Sequence, residues 1–537
     1  MNQSDGYQKL CRVHERIKWM IGKGNVLFLL CIFPILFHNK LYDLTVTRYY
    51  TFLVISFLCF GLHVLNEIIF LVVTFVDHKR VKNSVNRKIT VLSGLFLLAA
   101  GCAYMVSPYQ QFALAGFANR YVGLMFMAAI GCSYFTISSC YVLQEIDLIL
   151  AMAAGVFVNG LAILNYFGID LFQFFVDLAP AQSSLFISTM GNVDVYGVYA
   201  LMTLSISLYS AMKNDSQIKA YFYLICAFIA ACGTIVSGSD AAFLGVLLFM
   251  VVSLYMLMDS ITHLIDWLGM LLVFVLSIKG LDILISGHSD SVRTLRGWFA
   301  VVSKNMGWGL TVILTILIFV LAVINKKWNG QISDKIVKRV RKIYMIVMVC
   351  TIVAMVIAVI CITNGNASQD AWYSKYVVFN DEWGSGRGFI WKNLLEGFHN
   401  FPVVNKILGM GEATIRSVLS DYSSIHWNLL NGQVVDSAHN IPLQILITEG
   451  IFGFAVYIAM IVNAIQVMIN KSRKELCSTQ YLYVVIGLTV IVCFVQSLFC
   501  ILEVITFPIF MCYVAMMNGD NGSIEKEITK ESRKIVL

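Results

Sequence analysis

Two short stretches hold the side chains whose types and surroundings could do chemistry. The first reads Gly384-Ser385-Gly386-Arg387-Gly388. A guanidinium presents a planar fork of donors that fits phosphate oxygens, and it stays charged at any relevant pH. Glycines on both sides let the backbone approach a bulky ligand. The second reads Asp436-Ser437-Ala438-His439-Asn440, just ahead of Pro442, where an apolar helix starts. An imidazole, with an ordinary pKa of about 6.5, can take a proton from a hydroxyl near neutral pH. Asp436 or Asn440 is placed to orient its ring. A lone arginine is more often a loop surface residue, and a lone histidine here more often a helix cap. Their shared setting singles them out, because 364–440 is the one long polar-bearing segment of an otherwise apolar chain.

The elements that must position them are membrane helices. The chain has 537 residues, 59% hydrophobic and only 13% charged, with a mean hydropathy of +0.78; soluble domains carry about 25% charged residues. Apolar runs of spanning length recur at about 22–38, 51–77, 89–107, 121–142, 147–166, 194–212, 220–237, 240–258, 264–285, 298–324, 343–363, 441–469, 480–497 and 499–517. The expected fold is an all-α polytopic membrane protein with about 12–14 transmembrane helices. Residues 1–363 form about eleven spans, 364–440 a large extracytoplasmic catalytic loop with short helices, 441–517 the C-terminal spans and 518–537 a cytoplasmic tail.

Charge sets the orientation. With the N-terminus in the cytoplasm, the cytoplasmic segments hold 26 of the 38 Lys and Arg, including HKRVKNSVNRK and KKWNGQISDKIVKRVRK. That is the positive-inside bias, and it explains the net charge of +7 without nucleic acid. The 14 cysteines include no CxxC pair and no zinc-like spacing, so they read as small lipid-compatible hydrophobes. No phosphate-binding glycine motif occurs, which argues against nucleotide-driven chemistry.

Several weaker candidates face the same side. Trp372, Tyr373, Trp383, Trp391, Phe398 and Trp427 suit the membrane interface and equally suit stacking on sugar rings. Phe389–Phe398 has helical apolar spacing, with Lys392 and Glu396 four apart. Arg293 and Arg296 either add positive charge opposite a diphosphate or snorkel at a span end. Asn192 and Asp194 open a span. Glu503 is an acid within an apolar run and a functional candidate on that ground.

At these residues the sequence resembles the O-antigen ligase and polysaccharide polymerase superfamily, the WaaL/Wzy-like membrane glycosyltransferases. The resemblance runs from about Gly191 to Phe454. It rests on Arg387 and Trp391, then Pro402 with Leu408-Gly409-Met410-Gly411, then His439-Asn440 with Gln444, Glu449, Gly450 and Gly453. Upstream, Gly191-Asn192, Tyr196-Gly197 and Ser237-Gly238-Ser239 fit its remaining motifs. One position departs: where the family often has an arginine after that serine turn, this chain has Asp240.

The resemblance implies a GT-C-like enzyme that makes an inverting transfer from an undecaprenyl-diphosphate-linked oligosaccharide to an acceptor hydroxyl, without metal or other cofactor. It implies His439 and Arg387 as catalytic residues and Arg293, Arg296, Trp391, Asn440 and Glu449 as substrate-binding ones. Implied partners are an acceptor glycan or lipid-linked glycan, membrane lipid, a flippase and a chain-length regulator, with no nucleic acid. A polymerase of capsule or O-antigen repeat units is favoured by the departure at Asp240, with an O-antigen or protein O-glycan ligase as alternative. The rival class is a polysaccharide or lipid transporter. Against it stand the absence of an inverted repeat in the hydropathy, the few charges within the spans and the large loop bearing Arg387 and His439.

Overall fold

A computed structural model of the chain describes residues 3–76, 87–117, 120–176, 178–179, 183–213, 216–258, 260–287, 293–328, 334–364, 377–423, 435–472 and 480–519. Trp372, Tyr373, Trp427, most of the basic stretch HKRVKNSVNRK and the tail from 520 lie outside the described residues.

The protein is an all-α polytopic membrane protein. Ten helices are long and apolar enough to cross a membrane, and four shorter apolar helices accompany them among the described residues. The first helices are α1 (Gln3–Leu27), α2 (Leu44–Val76), α3 (Arg87–Val106), α4 (Leu124–Cys140), α5 (Glu145–Tyr166) and α6 (Val193–Lys213). Next come α7 (Gln217–Ser237), α8 (Asp240–Leu257), α9 (Ile261–Ser286), α10 (Gly297–Asn305), α11 (Gly307–Trp328) and α12 (Asp334–Asn364). The polar segment contributes α13 (Trp383–Asn400), α14 (Val403–Leu408) and α15 (Ile415–Tyr422). The chain then forms α16 (Ile441–Ser472), α17 (Gln480–Ser497) and α18 (Phe507–Asn518).

Helix α6 is the centre of the bundle, packed by α5, α7, α8, α9 and α17. At the other extreme, none of the apolar window of α12 is buried, as expected of a helix whose solvent is lipid. A two-stranded antiparallel ladder, β1 (Phe186–Ile187) with β2 (Gly191–Asn192), pairs Phe186 with Asn192 and Ile187 with Gly191 just before α6. Gly191, at φ 74, closes its tight turn.

Three boundaries differ from the hydropathy reading, each for a visible reason. The run 298–324 is two helices, α10 and α11, because Met306 leaves helical geometry. The Lys279 stem lies against Gly307, where a Cβ would come within 2.4 Å of its Cδ, and its Nζ donates to the freed Ser303 carbonyl at 3.1 Å. The run 499–517 is helical only from Phe507. Before it, the Glu503 carboxylate accepts from the backbone N–H of Ile505 and Thr506, as a capping group does. The first helix begins near residue 3 and passes through a π turn (Phe28–Ile32) and a 3-10 turn (Phe33–Ile35) containing Pro34.

That broken end leaves carbonyls without helical partners, and Arg48 of α2 supplies the donors. Its guanidinium, fully buried, bonds the carbonyls of Pro34 (2.9 Å), Leu36 (3.2 Å) and Thr189 (2.8 Å). One cation thereby ties the end of the first span to the turn between β1 and β2, at the foot of α6.

Candidate active site

The GSG stretch makes an unusual backbone turn. Gly384, Ser385 and Gly386 all have positive φ (60, 62 and 90), a left-handed turn that glycine adopts readily and other residues resist. Gly388 is equally constrained, since a Cβ there would lie 1.9 Å from the Asn380 carbonyl oxygen. The turn starts the right-handed part of α13 at Arg387. Arg387 Nη1 donates to the Gly384 carbonyl at 3.0 Å, while its Nε is buried without a hydrogen-bond partner among the described residues. Among those residues no carboxylate pairs with Arg387.

One helical turn on, Trp391 Nε1 donates to the Ala438 carbonyl at 2.9 Å. Its ring packs edge-on to Trp383 at 5.3 Å and beside Phe499 at 6.3 Å. The indole thus fastens α13 to the residue before His439. Lys392 pairs with Asp381 at 2.8 Å.

The start of α16 is built by side-chain capping. Asn440 Oδ1 accepts from Leu443 N at 2.9 Å, as an N-cap residue does. Gln444, fully buried, accepts through Oε1 from Ser437 Oγ (3.1 Å) and Ala438 N (3.3 Å). Between these fixed points His439 takes φ 49, a left-handed conformation uncommon outside glycine but enriched for histidine. Neither neighbour orients the ring: Asn440 caps, and Asp436 is held by Arg120 through two bonds, from Nε and Nη2, both 2.9 Å.

His439 is where the charges meet. Its pKa is lowered to about 4, first by burial, then by the guanidiniums of Arg387 and Arg120; Asp194 and Asp436 act in the opposite sense. The imidazole is therefore neutral at pH 7. Asp194 in turn accepts from Ser239 Oγ at 2.8 Å, which links the 237–240 turn to the same place. Arg387, Trp391, His439 and Asn440, separated in sequence, thus converge.

Arg293, Arg296 and Glu449 are placed differently. Arg293 donates to the carbonyls of Ser183 (2.6 Å) and Phe186 (3.2 Å) and lies over the Phe175 ring. Burial and neighbouring Arg296 lower its pKa. Arg296 is exposed and abuts the serine turn, a Cβ on Gly238 coming 3.2 Å from its own Cβ. Asp240 accepts from Trp298 N at 3.0 Å, so 293–298 packs on that turn. Glu449 is fully buried, facing Glu412.

Arg120, Asp194 as a charge on His439, and Glu412 did not stand out in the sequence. Gly116 (φ 85) and Gly123 bracket the Arg120 loop so tightly that a Cβ on Gly123 would lie 2.5 Å from Gly116 N. Such glycine bracketing is the signal that could have marked Arg120.

Residues 295–458 match the family model described as O-antigen ligase (Wzy_C). The matched segment contains Arg296, Arg387, Trp391, Glu412, His439, Asn440 and Glu449, while Arg120, Asp194 and Arg293 precede it. No curated protein and no solved structure matches the chain.

Proposed function

We propose that this chain, whose residues 295–458 belong to the O-antigen ligase family, transfers a glycan from undecaprenyl diphosphate to an acceptor hydroxyl. His439 is the general base. Arg387 and Arg120 are the cations that meet the departing diphosphate. What carries this reading is the pairing of a neutral imidazole with a guanidinium that no carboxylate among the described residues neutralises, brought together from 52 positions apart.

The acceptor O–H proton passes to an imidazole nitrogen of His439 while its oxygen bonds to the anomeric carbon from the face opposite the diphosphate. The carbon–oxygen bond to phosphate breaks, and its electron pair leaves on the diphosphate. Guanidiniums already in place stabilise that developing charge without reorganisation. Arg120 gives Nε and Nη2 to Asp436 and keeps its Nη1/Nη2 edge for a phosphate. The arriving anion also opposes the two arginines at His439, raising its pKa and making it a stronger base once donor is bound.

We assign a repeat-unit polymerase ahead of a ligase, on the departure at Asp240. The Lys and Arg distribution supports a cytoplasmic N-terminus and a site on the outer face. Arg296, beside the serine turn, and Trp391 and Asn440, beside His439, contact the donor in this reading.

Purified protein in vesicles, given undecaprenyl-diphosphate-linked repeat units, tests this. Release of undecaprenyl diphosphate with growth of lipid-linked chains supports the polymerase. Chain transfer only when a separate acceptor is added assigns the ligase. Movement of intact donor across the bilayer without bond cleavage overturns the enzyme.

A further inference from the structure

The loop after α14 runs flush against the broken part of α16. Gly450 leaves helical geometry (φ 69, ψ −171), and the Ile447 and Thr448 carbonyls accept from Met410 N at 3.1 Å and Gly411 N at 2.9 Å. Ser107 Oγ of the segment after α3 donates to the Met410 carbonyl at 2.5 Å. The backbones are so close that a Cβ on Gly450 would lie 2.4 Å from the Ile407 oxygen.

Beneath this junction two carboxyls face each other, Glu412 from the loop and Glu449 from the residue before the kink. They are 1% and 0% exposed. Thr448 Oγ1 donates to Glu412 Oε1 at 3.2 Å. Glu412 Oε2 and both Glu449 oxygens have no donor among the described residues. Among the described residues the groups acting on the two carboxyls are each other and the Thr448 hydroxyl, with no lysine, arginine or histidine. The Glu449 carboxyl lies along Gly453, where a Cβ would come 2.4 Å from its Oε2. Two ionised carboxylates cannot share a dry enclosure without a cation. A proton on one provides the O–H donor that the other lacks.

We propose that Glu412 and Glu449 share a proton and act as positioning residues. The protonated pair locks the 409–412 loop to α16 and so fixes the helix start that carries His439 relative to Arg387 and Arg120. The catalytic part of this inference rests on the proposed role of His439. The lock itself rests only on the geometry above.

The sign of the pH dependence follows. Unfolded, a glutamate ionises near 4.5, whereas burial pushes Glu412 up to about 7. Its contribution to stability is complete below pH 4.5 and is lost as pH rises through about 7.

The test compares wild type, Glu412→Gln and Glu412→Ala as purified full-length protein, by thermal melting and by glycan transfer from pH 5 to 9. Glutamine keeps a donor and an acceptor but cannot ionise. Relative to Glu412→Gln, wild type should lose melting temperature between pH 5 and about 7, and the difference should level off above that. Glu412→Gln should lose less, keep most of its neutral-pH activity and hold its activity further into the alkaline range, while Glu412→Ala should melt lower at every pH. Superimposable pH profiles of melting for wild type and Glu412→Gln would overturn the shared proton. So would a glutamine variant as damaged as the alanine one; Glu449→Gln, read by melting alone, repeats the comparison should Glu412→Ala not accumulate. Absence of transfer in wild type at every pH would strike the role of His439 and leave the melting comparison to judge the pair.

Discussion

Gly409→Ala puts the contact between loop and helix to a direct trial. Gly409 has φ 89 and ψ 178, a region open essentially to glycine alone, and forcing another residue there costs about 1–3 kcal/mol. A Cβ would also lie 2.1 Å from the Thr448 oxygen, where ordinary contact needs roughly 3.3 Å, so the loop must retreat by about 1.2 Å. The Met410–Ile447 and Gly411–Thr448 bonds, at 3.1 and 2.9 Å, then stretch past any hydrogen-bonding distance. Each contributes about 1 kcal/mol, and its buried groups would be left unsatisfied. The total is on the order of 4 kcal/mol, a large share of the ~5–15 kcal/mol of ordinary fold stability. The assay is thermal melting of the purified protein, with transfer activity at a temperature where it stays folded. We expect a clear drop in melting temperature and at least a tenfold loss of activity. Gly94→Ala is the control, because nothing lies within 4 Å of its Cβ and alanine favours a helix. Gly409→Ala behaving like Gly94→Ala would refute the close-contact reasoning.

Other outcomes follow from the same geometry. Trp391→Phe keeps the ring but removes the donor to Ala438, about 1 kcal/mol, so kcat should fall severalfold with little change in donor KM, measured by steady-state transfer. Arg120→Gln should raise donor KM at least tenfold, whereas Asp436→Asn, which leaves the guanidinium in place, should raise it less; equal donor KM in wild type and Arg120→Gln would remove Arg120 from the site. Because His439 titrates near 4, it is neutral well below pH 6.5, and the acid limb of kcat/KM in the free enzyme should lie below that of an ordinary histidine. Arg387→Gln takes away one of the charges holding it down, so the residual activity of that variant should show the limb at higher pH. The same depression makes the His439 contribution to stability full above about 6.5 and lost as pH falls towards 4.

The bundle was largely legible because span-length apolar runs leave few alternatives in a bilayer, and each of the fourteen runs holds a helix. The breaks were not, because they depend on partners far away in the chain. Lys279 satisfies the Ser303 carbonyl where α10 ends, and Arg48 satisfies those of Pro34 and Leu36 where the first span ends. Arg387 and His439 stood out through their glycine and helix-start settings. Their convergence could not be read from spacing, since it requires Trp391 to dock on Ala438. Arg120 escaped notice because the residue that gives it meaning, Asp436, is 316 positions away. Glu412 in GMGE looks like a solvated loop acid, and only its burial against Glu449 shows otherwise.

The most direct measurement is a polysaccharide gel from cells carrying His439→Ala, with the membrane level of the protein checked alongside. A general base at His439 in a polymerase predicts normal protein level, loss of long chains and accumulation of single repeat units on lipid; long chains building up on carrier lipid would assign the ligase. An unchanged glycan profile at normal protein level would contradict the role of His439 and return the transporter to consideration.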